Sequence, residues 1–298
     1  MTGSAATRGF INFEVIAEPL DSLLKALANK IDREWPAHLA EVLGARELFL
    51  LTLQTADVTC RSIRWLCADK PVDPLRIPEF CISVPPLNRT ILDSVFTAVF
   101  LLEDLPERCN WYHKASWREM RLELDRYRAQ YGKLDSWQEW FTRSAEMCTL
   151  GARIFQISAA ELADPASIPK WPNPGKMIRY GTNPELPVPA TRKFMKYLND
   201  WFYADLSQQA HLGGAGIMKR SVALLYHRDD PERAEALLKN KRAWVGQTVV
   251  LLLALASELE AYFEFGLRER IRYLWTIMAG AIVIAQELYE TRYAELLA

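Results

Sequence analysis

Glycine is scarce in this sequence, with 13 in 298 residues. The one cluster, HLGGAG at 211–216, has no Lys-Ser/Thr after it and no strand before it. That excludes a phosphate-binding loop or a dinucleotide-binding turn and leaves a helix end followed by a link. Charge of one sign is also missing: 36 Lys and Arg face 37 Asp and Glu, for a formal net charge of −1. The basic excess of many nucleic-acid binders is absent, so any basic surface must be local. The five cysteines, Cys60, Cys67, Cys81, Cys109 and Cys148, are odd in number and form no CxxC pair. This excludes a disulfide framework and a zinc site, and points to reduced thiols in a cytoplasm. The longest apolar run, 249–256, is far short of the roughly 20 residues that span a bilayer. The opening MTGSAATRGFINFEV lacks the apolar core of a secretory signal. No Gly-x-Ser-x-Gly, His-Glu-x-x-His or paired acidic-histidine motif occurs. The expectation is a cytoplasmic protein with no membrane segment, no cofactor and no metal.

What is present is helix. Half the residues are hydrophobic and 24% are charged, a globular composition, and at this length roughly 75% of the unfolded chain's surface can be buried. After an N-terminal arm, 1–18, Leu20, Leu23, Leu24, Leu27 and Ile31 recur at helical spacing until Pro36. A second helix, 46–68, carries the same period in Leu48, Leu51, Thr55, Val58, Ser62 and Trp65. Residues 69–86 hold Pro71, Pro74, Pro78, Pro85 and Pro86 and read as a connector without helix. The stretch LNRTILDSVFTAVFLL, 87–102, is apolar on every side and too short for a membrane, so it predicts a buried helix around which the others pack. Pro106 ends it. A charged helix at 115–131, capped by Gly132, and a fifth helix from 135 or 136 to 157 come next, with Ser158 capping a further short turn. The second proline-rich connector, 164–189, reads as a surface strap pinned by Trp171 and Tyr180, or as a binding loop. Helices at 190–212, from Asp230-Pro231 to 265, and at 267–297 complete the chain, with a break at Gly266. The predicted fold is all-α: one domain, 19–298, of about eight helices, ending in a long antiparallel hairpin.

Two sets of residues stand out as a candidate site. Arg89 and Asp93 lie one turn apart in the buried helix, where a charge is costly unless paired. Tyr203, Ser207 and His211, spaced by four, line one face of the sixth helix, which is also its plausible solvated face. Asp205 falls within that helix's apolar arc and calls for an arginine, with Arg89 as one candidate. The segments NRTILDSVFTAVFLLED, KWPNPGKMIRYG and LNDWFYADLSQQAHL resemble those of a group of uncharacterised bacterial helical proteins. Those proteins carry an Arg-x3-acid motif on one helix and a Tyr-x3-Ser-x3-His motif on a later one. The resemblance implies that Arg89, Asp93, Ser207 and His211 face one another in the bundle interior, either poising a histidine as a base or fixing helix register.

Arg108 and His113, in Arg-x4-His spacing, resemble the signature of HEPN-type ribonucleases. There the arginine stabilises phosphate charge and the histidine moves protons. Here the pair is expected in a loop after Pro106. Lys114, Arg118, Arg121 and Arg128, beside Trp111 and Trp117, offer an RNA surface, or with Glu119, Glu123 and Asp125 a solvated mixed-charge face. Two functions stay open. One is a non-catalytic interaction or oligomerising protein, with a homodimer contact through the apolar hairpin 244–289. The other is an RNA- or nucleotide-processing protein of a bacterial stress or phage-defence system, using Arg89, Asp93, Ser207 and His211, or Arg108 and His113.

Overall fold

The structure is a computed structural model describing residues 13–68, 79–183, 187–210, 214, 216–218 and 233–298. It is all-α, with no β-strand among the described residues. The helices are α1 Phe13–Arg33, α2 Ala45–Cys67, α3 Glu79–Leu102, α4 Leu105–Tyr131, α5 Gln138–Ile154, α6 Ala159–Ala163, α7 Pro174–Arg179, α8 Lys193–Leu198, α9 Ala204–Ala210, α10 Arg233–Phe263, α11 Arg268–Ala281, α12 Val283–Leu288 and α13 Ala294–Leu296. A π-helical turn, Asn199–Tyr203, joins α8 to α9, and another, Tyr289–Tyr293, joins α12 to α13. The chain gathers into two compact units: one from the described parts of 1–36, 46–99 and 174–298, the other from 37–45 and 100–173.

The first unit is built around α10. Residues 249–256 are buried on every side, each at most 1% exposed, so α10 holds the central position expected of 87–102. Helix α3 packs on it through Asn88, which is fully buried. Its Nδ2 donates to the Trp244 carbonyl (3.1 Å) and to Gln247 Oε1 (2.9 Å), and its Oδ1 accepts from Thr248 (2.7 Å). The C-terminal end of α10 is polar but closed. Ser257 donates to the Leu253 carbonyl and accepts from Trp275 Nε1. Glu258 pairs with Arg292 at 2.9 Å; burial pushes its carboxyl up while Arg292 pulls it down. Glu260 accepts the backbone N–H groups of Gly266 and Leu267, both at 2.9 Å, where the chain turns into α11. Gly266 sits at φ +79°, a left-handed conformation that favours glycine. Leu238–Phe263 is long and apolar enough to cross a membrane by length and composition, and 78% of its most apolar window is buried in the fold.

Several boundaries differ from expectation. The expected arm, 1–18, is helical from 13, with Ile16 and Ala17 buried and Pro19 inside α1; residues 1–12 lie outside the described residues. From Glu79 the expected connector 69–86 is helical instead, α3 running through Pro85 and Pro86; residues 69–78 lie outside the described residues. The two missing N–H donors fall in one turn, and Phe80 and Val84 are buried just ahead of them, so packing outweighs the proline cost. Pro106 opens α4 as well as coming after α3: Asp104 is the N-cap, and its side chain accepts the Glu107 N–H. The helix expected at 267–297 is interrupted at Ile282, which is extended at φ −128°, ψ 120°.

On α2 the buried face is Phe49, Leu53, Ala56, Cys60, Ile63 and Cys67. The stripe picked out by period, Leu48 to Trp65, faces away from it. The hairpin expected to carry a dimer contact has its apolar face buried within its own unit. Leu274, Trp275, Met278 and Ala281 are inside, and Tyr262 and Tyr273 are its exposed large apolar side chains.

The second unit is a hairpin of α4 and α5. Trp117, fully buried, donates from Nε1 to the Cys148 carbonyl at 2.8 Å. A Cβ on Gly151 would stand 3.1 Å from the Trp117 ring, so glycine permits this close helix approach. Ser158 and Glu161 form a capping box that starts α6, as expected of Ser158. Trp171 anchors the strap after it: its ring meets Phe100, Trp111 and Tyr112 edge-on at 4.9–5.3 Å, and Trp111 Nε1 donates to the Pro169 carbonyl.

Candidate functional site

The first expected cluster forms in part. Arg89 Nε donates to both carboxylate oxygens of Asp93, at 3.1 and 3.0 Å. Its guanidinium lies flat against Tyr203, with Cζ 3.3 Å from the ring centroid, and Phe96 meets the same ring edge-on. Burial pushes the Asp93 carboxyl up, against the opposing pull of Arg89. Ser207 is half-buried, and His211 lies outside the described residues. Asp205 is bonded to Gln209 Nε2 at 2.7 Å, and Arg89 instead faces Asp93 and Tyr203. The π-turn explains the altered wheel. One extra residue in a turn rotates the next part of the helix, so Tyr203 turns to Arg89 while Trp201, expected in the apolar arc, is exposed. Among the described residues the cluster is an ion pair stacked on a ring, with Asp93 46% exposed and Arg89 Nη1 buried without a hydrogen-bond partner.

Arg108 and His113 lie on α4, within a helix rather than the expected loop. The Arg108 side chain is 12% exposed. It pairs with Glu103, donates to the Phe100 carbonyl and covers the Phe100 ring with Cζ 3.9 Å from the centroid. His113 stacks on Phe155, with centroids 4.6 Å apart and planes 6° from parallel. Both side chains are occupied by their own unit. Of the basic residues further along α4, three are engaged or enclosed. Lys114 pairs with Glu161, Arg121 with Asp125, and Arg118 is buried. Burial pushes the Cys60 thiol up to about 12 and Cys67 to about 11, so neither is a reactive thiolate near neutrality. Among the described residues no three His, Cys, Asp or Glu side chains converge as metal ligands would.

The open feature of the second unit is a groove beside α5. A volume of about 770 Å³ lies against the C-terminal turns of α4, with Arg128, Phe141, Thr142, Ala145, Glu146 and Arg153 among its lining residues. A smaller hollow of about 350 Å³ shares Thr149 and Arg153 with it and adds Trp117, Arg121, Cys148 and Leu162. The lining residues run along α5 from Gln138 past its end to Ile157, a length of about 30 Å for a straight helix. Three arginines line the two hollows against one carboxylate, Glu146. On α5 itself Trp140, Met147, Leu150 and Ile154 are exposed, at intervals of seven, three and four residues. The sequence contained this signal: Trp140, Met147, Leu150 and Ile154 make a second apolar stripe on a helix whose Phe141 and Cys148 already face the core. It holds no reactive side chain, so no catalytic motif marks it.

No family model, no curated protein and no solved structure matches the chain.

Proposed function

We propose that this chain is a non-catalytic helical interaction protein that docks an amphipathic helix of a partner along α5, with acidic residues on that helix's flanks. One observation carries the reading: an apolar stripe at helical spacing, left exposed beside a long groove lined by three arginines. Helix-in-groove recognition uses anchors of this spacing, and unlike charge at the rim sets orientation and partner choice. An RNA-processing site at Arg108 and His113 would need both side chains to turn towards one phosphate. Arg108 would first have to leave Glu103 and the Phe100 carbonyl, so we favour the docking reading.

The test is a titration with a synthetic helix carrying leucines at every third and fourth position and glutamates on both flanks. A lysine-flanked copy serves as the control. The glutamate peptide should bind saturably and the lysine peptide about tenfold or more weaker, a difference of about 1.4 kcal/mol. Leu150→Asp should abolish the binding. Equal binding of the two peptides, or undiminished binding to Leu150→Asp, rejects the groove as the site.

A further inference from the structure

One arginine of the second unit is buried without a counter-charge. Arg118, midway along α4, is 8% exposed. Its Nε is enclosed and donates to no acceptor, and among the described residues no carboxylate pairs with it. A guanidinium cannot relieve its burial by losing a proton. Its neighbours show what is missing. Lys114, four residues before, pairs with Glu161 at 2.8 Å, and Arg121, three residues after, pairs with Asp125 at 3.0 Å. Residues three and four apart share one side of a helix. This side therefore carries three cations against two acids, and the unmatched cation is the most deeply buried of the three. The same side faces the chain that follows α5. Lys114 reaches Glu161 on α6, Trp111 donates to the Pro169 carbonyl seven residues before Arg118, and the turn Pro165–Ser167 packs on α4.

We infer that Arg118 holds the oxyanion of a small ligand, a carboxylate or a phosphate, on the strap-facing side of α4. A buried charge left without its partner destabilises a fold, and an acceptor from outside supplies the missing half. The planar fork of donors on a guanidinium matches two oxygens of either group. The 8% of Arg118 that stays exposed is where an anion from solvent meets it. The position is separate from the α5 groove, whose lining does not include Arg118, and the inference does not rest on that groove.

The test is thermal unfolding of the full chain in sodium chloride, with phosphate or acetate replacing chloride at constant ionic strength. One or other oxyanion should raise the midpoint saturably, by about 5 °C at roughly a hundredfold excess over Kd. Arg118→Met keeps most of the apolar stem and removes the charge. It should unfold no lower than wild type in chloride and should show no saturable rise. Arg118→Lys keeps the charge without the fork, and should need at least tenfold more anion. Arg153→Gln, in the α5 groove, should respond as wild type does. A wild-type midpoint that neither oxyanion raises saturably overturns the inference. So does a response that Arg118→Met retains, or one that Arg153→Gln abolishes, which puts the anion in the groove instead. An Arg118→Met chain that unfolds well below wild type in chloride overturns it as well, because the guanidinium is then already satisfied by water or by the fold.

Discussion

Asn88 is a short amide in a helix that is otherwise apolar on every side, and it cannot reach out to water. Arg89 and Asp93 drew notice in the sequence because they are charged, but long side chains can carry their charge to a surface. Asp93 remains 46% exposed beyond its pair with Arg89. The residue that had to find partners indoors was Asn88, one position away and turned towards α10, and it found three. Asn88→Leu should cost about 1–3 kcal/mol, because Gln247, Thr248 and the Trp244 carbonyl then lose a buried partner. Arg89→Met should cost less, about 1 kcal/mol, a partly exposed ion pair and one ring contact. Thermal unfolding of the two variants measures the order. The site was therefore half legible. The Arg89–Asp93 pair could be read from spacing alone, whereas Tyr203 stood out only as part of a stripe with Ser207 and His211, and its spacing did not aim it at Arg89. The π-turn that rotates Tyr203 into place has no signature in residue type.

At the scale of single elements, helix existence was plain from period and composition, and helix ends were plain at Pro36 but not at Pro19, Pro85 or Pro86. Proline reads as a stop, yet Pro19, Pro85 and Pro86 sit inside helices whose neighbouring turns are buried. Facing was harder still. Helix α2 is apolar on two sides, and period cannot say which side meets the core. The buried stripe, Phe49, Leu53, Ala56, Cys60, Ile63 and Cys67, holds no hydroxyl, whereas the outer stripe includes Thr55 and Ser62. The turn from α10 to α11 was legible at Gly266 but not at its lock. Glu260 is fully buried, and its carboxylate accepts the N–H groups of Gly266 and Leu267 at the start of α11. Charge-assisted bonds of this kind are worth about 1.5–3 kcal/mol. Glu260→Ala should destabilise by about that amount, and Glu260→Gln, which keeps one acceptor, by less. Equal losses in the two variants, measured by urea unfolding, would show that the charge carries the contribution and that bulk and a neutral acceptor add nothing.

Over the whole molecule, a net charge of −1 conceals where the charges lie. The fold collects three arginines along the α5 groove with a single carboxylate, and composition carries no trace of that sorting. Sequence symmetry between acids and bases therefore argued against a nucleic-acid binder without excluding a cationic interaction surface. The apolar and electrostatic parts of such a surface separate by salt. Screening shortens the reach of exposed charges from about 10 Å at 0.1 M to about 3 Å at 1 M, while apolar burial is not weakened. The glutamate-flanked helix should therefore lose affinity for the groove as salt rises, and should converge on the lysine-flanked helix at high salt, since the two share their leucines. Arg153→Glu should remove most of the salt dependence while leaving the high-salt affinity in place. If instead the two peptides stay apart at 1 M salt, the discrimination comes from close hydrogen-bonded pairs rather than from the field of the groove, and Arg128 and Arg153 must then be contacts in their own right.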